Sequence, residues 1–206
     1  MARVTAYVDG FNLYFGMRSR KWPRYYWLNV QLLVQNLLKP DQRLMYTKYF
    51  TSRVSSTPAD PEKSKRQNTY LEALATLHQF KILYGHYLGQ TIRGHNCGAY
   101  WDSHEEKMTD VNIAVELVTD AFQDSFDTAL LISADSDLTA PVEAVRRLFP
   151  QKRVVVGFPP FRRSKRLHDV ANSSFTIGRK KVADSQFPGK VRKPDGYVLQ
   201  RPTRWQ

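Results

Sequence analysis

This sequence predicts an α/β domain with a mainly parallel central sheet, and two observations carry that expectation. Short apolar runs bounded by turn residues alternate along the chain with segments of helical period. Several of those runs, such as "TALLI" at 128–132 and "VVVGF" at 154–158, are apolar almost throughout, as strands covered on both faces are. With 206 residues, 42% of them apolar and 13% aromatic, the chain has material for one ordinary core.

The elements follow in order. "RVTAYVDG" alternates and breaks at Asp9-Gly10, as a strand ending in a turn does. "NVQLLVQNLLKP" puts Val30, Leu33, Val34, Leu37 and Leu38 on one helical face, with Asn29 as cap and Pro40 as stop. "RLMYTKYFTSRV" reads as a strand, and "PEKSKRQNTYLEALATLHQF" as a helix with Leu71, Leu74 and Leu77 inward. "KILYGHYLG" is a further strand. Residues 89–106, polar and without period, read as a loop or insertion. Then come a helix through Val111, Ala114, Val115, Val118 and Phe122, the strand "TALLI", the helix "DLTAPVEAVRRLF" and the strand "RVVVGF". A short helix, "RSKRLHDVAN", and a last strand, "SFTIG", close a domain at 1–178; from Arg179, charge and turn residues replace period, giving a basic extension at 179–206.

The net charge of +12 is unevenly spread: residues 1–150 carry +1 and residues 151–206 carry +11. A polyanion is the natural partner, because each Lys or Arg set on a phosphate releases condensed counterions. The run "FRRSKR" offers Arg162, Arg163, Lys165 and Arg166 for such contacts, while Tyr197 and Trp205 either stack on unpaired bases or pack the extension onto the domain. A single cysteine, Cys97, excludes an intramolecular disulfide. No apolar run approaches the roughly 20 residues of a membrane span, and Asp9 comes too early for a signal-peptide core, so a cytoplasmic location is expected.

In a parallel sheet, ligands bind beyond the carboxyl ends of the strands where the winding reverses. Asp9 stands at the exit of the first strand, and Asp135 and Asp137 at the exit of "TALLI". Asp110 opens the intervening helix, so all four carboxylates converge if the two strands are neighbours. Crowded carboxylates raise one another's pKa, which a divalent cation relieves. Oxygen donors without thiolate or paired His favour Mg²⁺ or Mn²⁺, the usual partners of phosphate chemistry. The bland alternative is capping, since Asp135, Ser136, Asp137 and Asp110 all sit where helices begin.

The stretches "YVDGFNLYFG" at 7–16, "EKMTDV" at 106–111, "LLISADSDL" at 130–138 and "SKRLHDVANSSFTI" at 164–177 resemble, in order and approximate spacing, the NYN domain, the LabA-like branch of the PIN-like nucleases. The resemblance implies a PIN-like three-layer α/β/α fold and metal-dependent endonuclease cleavage of RNA. It matches Asp9, Asp110 and Asp135 to metal-binding carboxylates, Asp137 to a further acid, and Asn12 to a polar residue near the metal. Ser133 matches a group bonding a ligand carboxylate or substrate, and Lys107 a frequent lysine, read either as a phosphate contact or as an ion-pair partner of Asp110. Two positions depart from the family pattern: Ala134 replaces a usual Gly, and Met108-Thr109 a common Gly-Val.

The segment 89–106 holds His95, Cys97 and His104 but no second cysteine for a Cys-x-x-Cys pair, so a substrate-touching loop with Tyr100 and Trp101 as stacking groups is expected rather than a zinc knuckle. A metal-dependent ribonuclease, monomeric or homodimeric, is the reading these residues support. Its competitors are a non-catalytic RNA-binding adaptor on the same fold and another metal-phosphate enzyme, Toprim-like or a phosphatase. Toprim proteins place Glu where Asp9 stands, and haloacid-type phosphatases place Asp-x-Asp on the first strand, which this chain does not.

Overall fold

The computed structural model describes the backbone of residues 1–93 and 100–206 and the side chains of all but 86–107. Its strands are β1 (Ala2–Asp9), β2 (Gln42–Thr51), β3 (Phe80–Tyr84), β4 (His86–Arg93), β5 (Tyr100–Lys107), β6 (Thr128–Ile132), β7 (Arg153–Phe158), β8 (Ser173–Thr176) and the short pair β9 (Lys190–Arg192) and β10 (Val198–Gln200). Six of them make one parallel sheet in the order β3-β2-β1-β6-β7-β8. The winding reverses between β1 and β6, which pair from Val4↔Thr128 to Val8↔Ile132. The neighbour relation on which convergence of the carboxylates depends therefore holds.

Both faces of this sheet are covered, giving the three-layer α/β fold. On one side lie α1 (Gly10–Ser19), α2 (Val30–Leu37) and α3 (Lys63–Leu74), which bury Leu13, Val34 and Leu74 against Val4, Ala6 and Val8 of β1. On the other lie α4 (Thr109–Phe122), α5 (Thr139–Leu148) and α6 (Lys165–Val170), which bury Leu117, Val145 and Leu167 against Tyr7, Leu131 and Val156. The period of 2 along β1 thus assigns alternate residues to the two cores. No helix among the described residues is long and apolar enough to cross a membrane.

The single strand read at "KILYGHYLG" is divided between β3 and β4, which belong to different sheets, and three larger features differ from the sequence reading. The turn expected after Asp9 is the start of α1, whose "GFNLYFGMRS" carries two glycines and three aromatics and so has weak helical propensity; its N-cap is Asp9 itself. The aperiodic stretch 89–106 is largely strand: β4 and β5 pair antiparallel from His86↔Lys107 to Arg93↔Tyr100. Its polar sequence on both alternating sets leaves no period to read. His95 and Cys97 lie outside the described residues, as do the side chains of Tyr100, Trp101, His104 and Lys107.

The third difference is at the C-terminus. Residues 179–206 form α7 (Arg179–Ala183), β9, β10 and a 3-10 turn at Thr203–Trp205, and they bury Val182, Phe187, Val191 and Leu199 in the α1-side core. Trp27 Nε1 donates to the Pro188 carbonyl at 2.8 Å, and Phe187 N donates to the Trp27 carbonyl at 3.0 Å. Tyr197 remains 63% exposed, whereas the Trp205 ring sits 6.0 Å from Tyr26 and 6.1 Å from Tyr70. Of the two aromatics offered for stacking, one packs inward and one faces solvent.

Candidate functional site

The site is built at the carboxyl ends of β1 and β6. Asp9 ends β1 and is only 3% exposed. Its carboxylate accepts from Asn12 N at 2.9 Å, Asn12 Nδ2 at 2.8 Å and Ser133 Oγ at 2.9 Å. The first of these caps α1, so one residue ends a strand and starts a helix. Burial pushes the Asp9 carboxyl above the ordinary carboxylate range, against the three hydrogen bonds, and the charge of Asp135 pushes the same way.

Ser133 links the two strand exits, because its hydroxyl also accepts from Asp135 N at 3.1 Å. Asp135 is half-buried, and its side chain accepts from Asp137 N at 3.0 Å to cap the 3-10 turn Ser136–Leu138. The capping role foreseen for Asp135 is thus present beside its place at the switch point. Asp137 is exposed in that turn. Asp110, half-buried, occupies the first turn of α4, a helix packed on β1, β2 and the Ser136–Leu138 turn.

The structure therefore joins Asp9, Asn12, Ser133 and Asp135 in one bonded group, with Asp137 attached through its backbone amide. It does not close the expected four-carboxylate cluster: among the described residues, no three His, Cys, Asp or Glu side chains are gathered closely enough to hold a metal ion. The donor chemistry nevertheless fits a hard cation. All the side-chain donors are oxygens, and Asn12 Oδ1 is buried with no hydrogen-bond partner while Nδ2 of the same amide is bound to Asp9.

Two departures from the family pattern acquire a physical meaning here. Met108 precedes α4 at φ 76°, in the left-handed region that glycine occupies without cost. The family's glycine is explained, and Met108 holds the same backbone at some strain. Ala134 is not among the described residues of positive φ, so the other replacement needs no special conformation.

Gly10 is required for a different reason. A Cβ there would lie 2.5 Å from Tyr49 Cζ and 2.8 Å from the Phe50 carbonyl oxygen, and the backbone oxygen has no room to give. Gly10→Ala is expected to destabilise the fold by about 1–3 kcal/mol, measured by urea unfolding, as α1 is levered off β2.

The basic run leaves the carboxyl end of β7, the neighbour of β6, so Arg162 and Arg163 lie at the same end of the sheet as Asp135. Arg163 is exposed and lies over the Phe158 ring, its guanidinium 6.0 Å from the centroid. Lys165 and Arg166 are exposed on α6, where Lys165 is paired with Asp169 at 2.6 Å.

Sequence reasoning missed the support beneath the site. Lys48 of β2 reaches across to α4, bridging Asp120 at 2.6 Å and Glu116 at closer range, and Tyr7 donates its hydroxyl to Asp120 at 2.5 Å. Burial, then the Asp120 charge, pushes the Tyr7 hydroxyl far above its ordinary range. The signal available was a lysine between Thr47 and Tyr49 near the end of a strand.

Comparison with known proteins agrees with this architecture. A protein of unknown function from Vibrio parahaemolyticus shares the fold, with a TM-score of 0.55 over 86% of this chain and 94% of its own at 20% identity. A 6-hydroxy-3-succinoylpyridine 3-monooxygenase of Pseudomonas putida is 26% identical over 70% of this chain and 55% of its own. The chain thus spans about half the length of that curated relative. Residues 3–178 match the profile of the NYN domain. Together with the carboxylates at the β1–β6 switch point, that match places the chain in the NYN domain family of the PIN-like nuclease superfamily.

Proposed function

We propose that this protein is a divalent-metal-dependent endoribonuclease whose reaction centre lies at Asp9 and Asp135. The observation that carries the reading is the Ser133 bridge from the Asp9 carboxylate to the Asp135 backbone amide, which joins the exits of two adjacent parallel strands. Capping alone gives no reason for Asp9 to be buried and bonded to a side chain from the neighbouring strand exit.

Asp9, Asp135 and the Asn12 carbonyl oxygen are the groups that would hold a Mg²⁺ or Mn²⁺ ion, with Asp110 and Asp137 at its periphery. Such an ion supplies Lewis-acid stabilisation of charge on the reacting phosphate. The chain's own residues do the positioning. Three donors fix the Asp9 carboxylate in one orientation, and Ser133 sets the distance between the two strand exits. Arg162 and Arg163 take phosphates flanking the scissile bond.

The test is incubation of unstructured RNA with the wild type and with Asp135→Asn in Mn²⁺, Mg²⁺ or EDTA, with products resolved by gel. Cuts that need both the ion and Asp135 support the nuclease. Intact RNA under every condition, with binding confirmed, overturns it in favour of the adaptor.

A further inference from the structure

A cavity of about 520 Å³ opens on the α1 side of the sheet, lined by none of the site's carboxylates but reaching the residue that follows Asp9. It begins at Gly10, the residue after Asp9, and at Thr51, which follows the register partner of Asp9 on β2. From there it runs between α1, the start of α3 and the turn at Thr203–Trp205.

Its walls are aromatic in a connected series. Tyr14 lies 5.0 Å from Tyr26, Tyr26 lies 6.0 Å from Trp205, Trp205 lies 6.1 Å from Tyr70, and Tyr70 lies 6.5 Å from Tyr49. Its rim is cationic, with Arg18, Lys63, Arg66 and Arg204 set against a single carboxylate, Asp60. That carboxylate is already engaged by Arg66 and, at 2.9 Å, by Arg204. Among the described residues no carboxylate is within ion-pair distance of Arg18 or Lys63: Lys63 acts on Asp60 only through space, and the Arg18 guanidinium lies 5.9 Å from the centre of the Phe15 ring.

A space of this size, with aromatic side chains lining it and positive charge beside them, suits a group that is flat, apolar on its faces and tethered to phosphate. A nucleotide has that chemistry; an acidic peptide lacks the flat body, and an apolar one leaves the rim cations unmatched. A base held in a duplex is stacked and paired and cannot enter.

We propose that this cavity is a subsite for one unpaired nucleotide of the substrate, its base against the Tyr14, Tyr26 and Trp205 rings and its phosphate on Arg18 and Lys63. The subsite lies next to the reaction centre and restricts the enzyme to single-stranded RNA. The inference rests on the ribonuclease reading for its substrate but not for its readout.

The test measures fluorescence-anisotropy binding of a labelled single-stranded oligoribonucleotide, and of the matching blunt duplex, in EDTA so that no cleavage intervenes. The variants are Arg18→Glu with Lys63→Glu, which alters exposed or half-buried side chains, and Trp205→Ala. Each variant's Tm is recorded beside its affinity. The wild type is expected to bind the single strand at least about tenfold more tightly than the duplex. The charge-reversed variant, with Tm unchanged, is expected to lose about tenfold or more for the single strand. Trp205→Ala is expected to lose a comparable factor with little change in salt dependence. Equal affinity for duplex and single strand, or a charge-reversed variant that binds like wild type, overturns the proposal. Should no ion support cleavage while the strand preference and the variant losses persist, the subsite stands and only the nuclease reading fails. Should cleavage occur while the variants bind and cut as wild type does, the subsite alone fails.

Discussion

Asp9→Asn is expected to reduce metal-dependent cleavage by about 10³-fold or more while leaving the ion-free protein as stable as the wild type or more so. The two halves of this result come from one geometry. Asp9 lies at the centre of the bonded group, and an amide there brings no charge to a cation. The same amide keeps an oxygen for Asn12 N, preserving the α1 cap. Its new N–H donates to the Asn12 Oδ1 once that side chain turns over, which moves the unpartnered position to Asn12 Nδ2 and costs Ser133 Oγ its acceptor, so the gain in stability comes from removing the buried charge. The wild type, by contrast, carries a buried carboxylate whose pKa is raised by burial and by Asp135.

The sign of the pH dependence follows. A raised folded pKa means that the favourable contribution of protonated Asp9 is fully present below the unfolded value, about 3.9, and is lost as pH rises through the folded value. The stability difference between the amide variant and the wild type is therefore absent in acid and opens as pH rises. Thermal melts of both proteins in EDTA across that range check it. A Tm lowered at neutral pH, at the roughly 2–4 °C per kcal/mol typical of this chain length, would mean that the cap was lost instead.

Asp120→Ala is expected to destabilise the protein by about 3–5 kcal/mol, lowering Tm by roughly 10 °C or more. Asp120 and Lys48 expose only 9% and 11% of their side chains, so removing the acid strands a buried ammonium and the Tyr7 hydroxyl together. Glu116 only partly compensates. It is half-buried and shared with Lys81 at 3.4 Å; burial pushes its carboxyl up, but the hydrogen bond from Lys48 and the charges of Lys48 and Lys81 hold it below its ordinary range. Because the network ties α4 to β1 and β2, the variant is also expected to impair cleavage through Asp110 at the head of α4. Urea unfolding measures the first effect. Cleavage assayed well below the new Tm measures the second.

The legibility of the fold followed local signals. Both β6 and α5 were plain because a fully apolar run and an amphipathic helix each declare themselves within their own residues. Helix α1 was not, because it is held by the Asp9 cap and by close packing over Gly10 rather than by propensity. The pair β4 and β5 was hidden by polarity on both sets of alternate positions. At the site, Asp9 and Asp135 could be named from their places at strand ends, which have a known use in a parallel sheet, whereas Asn12 and Ser133 came only from the resemblance to the NYN domain. The Lys48–Asp120–Tyr7 network could not, since its members come from three elements and make sense only once α4 lies across β1 and β2. The aromatic cavity is the extreme case, its rings drawn from five separate segments.

The return of residues 185–205 to the Trp22–Asn29 region has a consequence for biosynthesis. Asn29 donates to the Ser185 carbonyl, Leu28 bridges Gln186, and Arg201 reaches the Arg24 carbonyl, all across most of the chain. Such closures carry the largest loop entropy and are made late. On the ribosome, the carboxylates at 9 and 135 have already been made while Arg204 and Trp205 have yet to be added, so the nascent chain carries the acids of its crevice before it has the wall beside them. A polypeptide released early, by a premature stop or a frameshift beyond β8, would carry all six strands of the sheet but lack that wall, together with the Val182, Phe187, Val191 and Leu199 side chains that complete the α1-side core.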